Sequence, residues 1–285
     1  MIRKFLVYIL IAAFAFSSES CYNDIDTLSS SGKLFIIGGG NRSDSLMLKM
    51  INEADIGDRG YVFILPMSSE MSDTTLLKLV NEFKELGIEK VTGYNFLPNE
   101  TPPQIWVDSL RNASLIYISG GDQNRFMQIV DGNAIEEAIN YAFNNGAMIA
   151  GTSAGAAVMS EKMITGNELK SPEYRATFRT IENENIELAK GLGFITTAII
   201  DQHFVWRSRY NRLISAIIEH PELIGIGIDE ATAILVSGNK AKVIGESQVV
   251  VFRNPDKSLI EVNGKLGARN LLIDIYLPGE EFEVR

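Results

Sequence analysis

Residues 151–155 read Gly-Thr-Ser-Ala-Gly, a G-x-S-x-G pentapeptide whose value depends on what flanks it. Ala147 to Ala150 form a short apolar run typical of a buried strand, and the chain resumes after the glycines as a small-residue helical stretch. Strand, tight turn and helix together make the setting in which such a serine becomes a nucleophile, with its Oγ exposed above the carboxyl edge of a sheet. A helix N-terminus behind it favours negative charge. The glycines allow a strained turn and a close approach of helix to strand. The bland alternative is a Gly/Ala-rich turn without chemistry. It suits a bare pentapeptide, but the flanking elements favour Ser153 as a nucleophile.

A serine nucleophile needs a base, and the chain holds two histidines, His203 and His220. His220 precedes Pro221 at the end of a helical pattern, an ordinary solvent-exposed capping position. His203 follows the apolar run Thr197 to Ile200 within a polar Asp-Gln-His stretch, which predicts a position at the same sheet edge as Ser153. The third partner is a carboxylate that fixes the imidazole tautomer and stabilises the imidazolium. Glu168, Glu173, Asp201 and Glu230 are candidates, and the residues alone do not rank them. Arg207, Arg209 and Arg212 cluster at the start of the predicted helix Phe204 to Glu219, where a helix dipole disfavours cations. They need anionic partners, either substrate carboxylates gripped by forked hydrogen bonds or nearby acidic side chains. Gly38-Gly39-Gly40 lacks the G-x-G-x-x-G spacing of a dinucleotide site.

Positioning these groups requires a sheet. Lys33–Ile37, Gly60–Leu65, Lys90–Tyr94, Leu115–Ser119 and Ala147–Ala150 are short apolar runs. Between most of them lie helix-period segments at Ser43–Ala54, Asp73–Leu86 and Asn133–Asn144. This alternation predicts an α/β fold, a doubly wound, mostly parallel, flavodoxin-like sheet whose ligands bind at the carboxyl ends of the strands. From Ala231 onward, Val/Ile-rich runs separated by Gly-Asn, Asn-Pro and Asn-Gly turns predict C-terminal antiparallel hairpins. A single α/β domain over 33–285 with that β-hairpin extension is the economical organisation.

The chain has 285 residues, 46% of them hydrophobic, and a formal charge of −10. An acidic surface disfavours nucleic acid and broad binding to anionic membranes. Arg3 and Lys4, the apolar run Phe5–Phe16 and the polar end Ser17–Ser20 predict a secretory signal over 1–20, too short for a membrane span. Cys21, the only cysteine, stands at the cleavage point, resembling a bacterial lipoprotein whose cysteine carries the lipid. Residues 21–32 read as a polar tether. The expected location is outside the cytoplasm, facing periplasm or cell surface, with membrane contact through the lipid anchor only. No intramolecular disulfide is possible. With no metal-ligand cluster in the sequence, no metal or cofactor is expected.

Four blocks carry a family resemblance: Gly120-Gly121-Asp122-Gln123, Gly151 to Ala156, Asp201-Gln202-His203-Phe204 with Arg207, Arg209 and Arg212, and Gly225 to Glu230. In this order they resemble cyanophycinases, serine peptidases related to aspartyl dipeptidase (dipeptidase E), whose fold is similar to that of class I glutamine amidotransferases. The resemblance implies a Ser153–His203–acid triad, with Glu168 as first choice because Met163 to Glu168 matches the segment that ends on the dipeptidase acid. Glu173 and Glu230 stay open as alternatives. It implies oxyanion donors at the Gly121 and Ala154 backbones. It further implies a substrate surface of Asp122, Gln123, Asp201, Gln202, Arg207, Arg209 and Arg212, and a homodimer. The activity implied is exopeptidase cleavage of cyanophycin, or related β-aspartyl peptides, to β-aspartyl-arginine dipeptides. A serine peptidase of other specificity and a non-catalytic peptide-binding lipoprotein are the competing readings. A glutamine-amidotransferase-like module is disfavoured without a cysteine nucleophile.

Overall fold

The computed structural model describes residues 32–285 apart from 58, 59, 172, 174 and 176. The signal segment, Cys21 and the tether up to residue 31 lie outside the described residues. The first half alternates as its pattern predicts: β1 (Leu34–Ile37), α1 (Asp44–Ala54), β2 (Val62–Leu65), α2 (Ser72–Glu85) and β3 (Val91–Gly93). It continues with α3 (Gln104–Arg111), β4 (Leu115–Ile118), α4 (Gln123–Val130), α5 (Ala134–Asn144), β5 (Met148–Thr152) and α6 (Ala154–Ala157). The second half runs β6 (Lys162–Glu168), β7 (Ile186–Lys190), β8 (Ala198–Gln202), α7 (Tyr210–Glu219), β9 (Ile224–Ile228), β10 (Thr232–Ser237) and β11 (Lys240–Gly245). It closes with β12 (Val249–Arg253), β13 (Ile260–Val262), β14 (Lys265–Gly267), β15 (Leu272–Tyr276) and β16 (Glu281–Glu283).

The main sheet has eight strands in the order β16-β11-β10-β1-β5-β4-β2-β3. Its β1, β5, β4, β2 and β3 are parallel, while β10, β11 and β16 extend it antiparallel beyond β1. Strands β1, β2 and β4 are buried along their whole length, as continuous apolar runs in a sheet covered on both faces should be. One large core cluster includes Ile36, Phe63, Ile118 and Ile149, and a second on the opposite face includes Phe35, Ile64, Tyr117 and Ala150. Neighbours along each strand fall into different clusters because side chains alternate across the pleat.

One expectation needs correction. The apolar run before His203 does not join the main sheet. The far edge of β1 is taken by β10, with Leu34 opposite Val236, so β8 cannot lie beside β1. It pairs instead with β9, parallel, in a second sheet of order β15-β12-β9-β8. The α7 crossover between them packs on this sheet through a third core cluster containing Phe204, Leu213, Ile217 and Phe252. The Gly238-Asn239 and Asn263-Gly264 turns join hairpins as their residues predict, whereas Asn254-Pro255 does not, since β12 pairs with β9 and β15 rather than with β13. Asn263 and Gly264 both take positive φ, 53° and 77°, in the tight β13–β14 hairpin, which is the Asn-Gly conformation favoured there.

Helices α3 and α4 lie where the apolar spacing predicts none, and the predicted Phe204–Glu219 helix starts only at Tyr210. Residues 204–209 form turns instead, with Ser208 at φ 48°. Arg207 therefore lies outside the helix, Arg209 is its N-cap, and only Arg212 sits in the first turn. Among the described residues no helix is long and apolar enough to cross a membrane.

Candidate active site

Ser153 leaves β5 at φ 55° and ψ −108°, an unusual backbone for a residue with a side chain. Such a conformation costs on the order of 1–3 kcal/mol and persists only where its surroundings enforce it. The enforcement is visible. The Ser153 N–H donates to the Ile37 carbonyl at 3.0 Å. A Cβ on Gly151 would lie 2.3 Å from the Gly155 carbonyl oxygen, and one on Gly155 would lie 2.4 Å from that of Ile118. Both glycines of the pentapeptide are thus required for the single helical turn α6 to press against the sheet.

His203 and Glu230 arrive by a different route. Strands β8 and β9 are parallel with Gln202 opposite Ile228, so the residues that follow each strand emerge side by side. The His203 N–H donates to the Gly38 carbonyl at 2.7 Å, and the Ala231 N–H to that of Gly39 at 2.9 Å, tying the second sheet to the end of β1. The Gly38-Gly39-Gly40 run explains itself here. A Cβ on Gly39 would meet His203 Cε1 at 2.3 Å, and one on Gly40 the Glu230 Oε2 at 2.7 Å. The glycine run makes room for the imidazole and its carboxylate.

The three side chains form one chain of contacts. His203 Nε2 lies 2.9 Å from Ser153 Oγ, and His203 Nδ1 lies 2.5 Å from Glu230 Oε1. A carboxylate can only accept, so Nδ1 carries the proton and Nε2 presents its lone pair to the serine hydroxyl. Burial pushes the His203 pKa below the ordinary imidazole value, the Arg207 and Arg209 cations push it further, and Glu230 pulls against them. The ring is neutral at neutral pH, as a base accepting a serine proton must be. The same hydroxyl has a second acceptor, Gln202 Oε1, at 3.3 Å.

Glu168, the first choice for the acid, is not at the histidine. It ends β6 in the separate β6–β7 hairpin, buried, and accepts from Asn185 Nδ2 at 3.2 Å. Glu173 is also elsewhere, its side chain 86% exposed and 3.6 Å from Arg175. Asp201 turns away from the pocket chemistry. Its carboxylate is 1% exposed and accepts from Arg212 Nε at 2.7 Å and from Arg212 Nη2, with Arg209 Nη1 3.7 Å away. Position along β8 gives the reason: successive side chains point to opposite faces, so Asp201 and Gln202 diverge. Asp229, beside Glu230, braces the turn by accepting from the Trp206 N–H and Ser247 Oγ.

A pocket of about 240 Å³ opens at Ser153. Its walls include Gly121, Gln123, Thr165, Asn167, Gln202 and Arg207. Gly121 takes φ 140°, with Ser68 so close that a Cβ would meet its carbonyl oxygen at 2.1 Å. A Cβ on the preceding Gly120 would lie 3.4 Å from Ser153 Cβ, so this loop runs directly beside the serine. Ala154 opens α6, and first-turn N–H groups have no intrahelical acceptor. Asp122 caps α4 through the Asn124 and Arg125 N–H groups. Gln123 donates to the Ile164 and Thr165 carbonyls at 2.9 and 2.7 Å, holding the opposite wall in place. Both are framework residues rather than free substrate ligands. Arg209 and Arg212 line the pocket, yet each is 2% exposed and engaged with Asp201. Arg207 differs. It is half-exposed, borders the pocket, and has no carboxylate partner among the described residues. His220 lies at the far end of α7 near Lys162 and Glu222. Among the described residues, no group of three or more His, Cys, Asp and Glu is placed to hold a metal.

A buried neutral imidazole between a strained serine and a carboxylate, beside a glycine-rich loop, has the parts of a hydrolase that works by acyl transfer. Residues 34–244 match Peptidase family S51, and the chain belongs to that family of peptidases. It is 32% identical to a cyanophycinase of Nostoc sp. over 234 residues, 79% of this chain and 76% of that one. It is 35% identical to a cyanophycinase of Synechococcus elongatus over 184 residues, 62% of this chain and 54% of that one. In fold it resembles a crystal structure of a peptidase from an acI-B1 Actinobacterium, with a TM-score of 0.62 at 21% identity over 88% of this chain and 96% of that one. It also resembles a putative peptidase E protein from Listeria monocytogenes, with a TM-score of 0.54 at 17% identity over 76% of this chain and 99% of that one.

Proposed function

We propose that the chain is a serine exopeptidase acting on cyanophycin, multi-L-arginyl-poly-L-aspartate, or a related β-aspartyl peptide, and releasing β-aspartyl-arginine dipeptides through an acyl-enzyme. The observation that carries this reading is the unbroken contact chain from Ser153 through His203 to Glu230. His203 takes the serine proton as Oγ attacks the scissile carbonyl, then protonates the leaving amine. Water deacylates by the same route in reverse. Glu230, in place of Glu168, holds the Nδ1–H tautomer and stabilises the imidazolium. Gly121 and Ala154 N–H groups receive the developing oxyanion, a role whose loss at one donor typically costs about 10²–10³ in rate. Arg207, a cation without a carboxylate partner among the described residues, takes a carboxylate of the substrate by forked hydrogen bonds. Likeness to cyanophycinases over most of the chain supports the choice of substrate.

The leader adds a second, separate proposal. Export and lipid attachment at Cys21 would place the enzyme on polymer or peptide met outside the cytoplasm. The test of the function is release of β-aspartyl-arginine from insoluble cyanophycin by the protein beside its Ser153→Ala variant. Release that vanishes in the variant supports the reading. No release by the parent protein removes the substrate assignment, and failure of Ser153 to react with a serine-directed phosphonate removes the serine mechanism.

A further inference from the structure

The pocket at Ser153 does not end at Asn167. A second hollow of about 550 Å³ shares Asn124, Thr165 and Asn167 as walls with the first. The two adjoin across these residues, and the second lies between α4 and the β6–β7 hairpin. The charged groups of this outer hollow are Asp131, Glu187 and Lys190. Lys190 is engaged, since its Nζ donates to Asp131 and to Glu136. Glu187 has only neutral partners among the described residues. Its Oε2 accepts from Thr165 Oγ1 and from Asn167 Nδ2, both at 2.7 Å. Among the described residues, the inner hollow thus has a cation without an ion-pair partner, Arg207, and the adjoining outer one a carboxylate without an ion-pair partner, Glu187.

We propose that Glu187 is a specificity residue that binds a guanidinium or ammonium side chain of the substrate in the outer hollow. The proposal rests on the peptidase reading of Ser153. An extended peptide lying across both hollows would meet Arg207 with a carboxylate near the scissile bond and Glu187 with a cation further out. Three observations favour this role over that of a hairpin brace. The carboxylate is only half-buried and borders open space. Its hydrogen bonds come from residues shared by the two hollows, so its carboxylate is fixed at the edge of the outer one. Those bonds, Thr165 first, also keep its carboxyl below the ordinary range, so it is anionic wherever the neutral His203 is active.

The test is equilibrium binding to the Ser153→Ala protein, which cannot turn over, of a short β-aspartyl-arginine oligomer and its citrulline counterpart. Citrulline keeps the shape and removes the charge. The expected result is about fivefold tighter binding of the arginine oligomer, corresponding to about 0.95 kcal/mol for a half-buried pair. The preference should disappear in Ser153→Ala/Glu187→Gln, which retains an amide oxygen for Thr165 and Asn167. Equal affinity for both oligomers in Ser153→Ala overturns the proposal without reference to any Glu187 variant, as does a preference that survives Glu187→Gln. Cyanophycin release is scored separately. Ser153-dependent hydrolysis by a protein indifferent to the charge would retain the peptidase and discard the role of Glu187, whereas preferential binding without hydrolysis would do the reverse.

Discussion

Glu230→Gln is the perturbation that discriminates most sharply between the candidate acids. The substitution keeps the shape of a side chain whose Oε1 sits 2.5 Å from His203 Nδ1 and removes only its charge and obligate acceptor character. The histidine side chain is 9% exposed and that of the glutamate 23%, so the pair lies mostly out of water and an effective dielectric of about 20 is appropriate. Two unit charges about 4 Å apart then attract by about 4 kcal/mol. That attraction is present only when the imidazole is charged, as it is in the transition state, so its loss falls on the rate. At about 1.36 kcal/mol per decade it costs about 10³. A flipped amide presenting its NH₂ to Nδ1 would move the proton to Nε2, the wrong tautomer, and raise the loss towards about 10⁴. The assay is the initial rate of dipeptide release together with the rate of phosphonate labelling at Ser153, with a thermal melt to verify folding. Glu168→Gln should leave both rates within about twofold. It weakens one buried hydrogen bond to Asn185, worth about 1 kcal/mol of stability, and Glu173→Gln should change nothing. A folded Glu230→Gln protein within tenfold of the parent rate, or a folded Glu168→Gln protein as impaired as Glu230→Gln should be, would refute the assignment.

Arg207→Gln should raise KM for an acidic peptide by about tenfold, the worth of a charge-assisted pair near 1.4 kcal/mol. It should also move the acid limb of the kcat/KM profile to higher pH. The His203 pKa is lowered partly by Arg207, so removing this cation lets it rise, and the neutral base is then lost sooner on acidification; an unmoved limb would argue that the cation does not reach the imidazole. Gly39→Ala should abolish activity while the fold survives, because its Cβ, at φ 110°, would meet the His203 ring at 2.3 Å. Circular dichroism beside the activity assay separates this local displacement from unfolding. Asp201→Asn should act on stability, lowering it by about 3 kcal/mol or more because Arg212 loses its buried counter-charge, and thermal melts would show the drop. A variant as stable as the parent would contradict the buried-pair reading. Cys21→Ala should abolish incorporation of radiolabelled palmitate if this cysteine carries the lipid anchor, and labelling that persists would remove the anchor proposal.

The local signals and the long-range ones divide cleanly. Ser153 was legible because everything that strains its backbone, from Gly151 to Gly155, lies within a few residues and repeats a known strand-to-turn pattern. His203 was legible by elimination, with one other histidine in the chain and that one at a helix end. Strands β1, β2, β4 and β5 were readable as buried apolar runs, since burial on both faces marks a strand in composition alone, whereas β3, at the sheet edge, is only half-buried. The carboxylate was not legible. Glu168 is nearer in sequence to Ser153, but nearness along the chain says nothing about which strand ends meet. The parallel pairing of β8 with β9 decides that, and it brings Glu230 to His203 across 27 positions. A βαβ reading of the segment from Ala198 to Ile228 would have exposed it, since such a unit places the residues after both strands at one edge.

The arginine cluster divided in the same way: sequence showed that three cations needed partners, and folding assigned Asp201 to two of them and left Arg207 at the pocket. Gly38-Gly39-Gly40 carried no readable function because the atoms that require it belong to His203 and Glu230, brought there from the other end of the chain. By itself the sequence singled out Ser153 and His203 as the proposed nucleophile and base, and gave the parallel sheet and the acidic net charge, all written in short-range spacing and composition. Only the tertiary structure placed Glu230 at His203, left Arg207 at the pocket and set the second hollow beside it, because each depends on which distant strand ends the packed sheets place side by side.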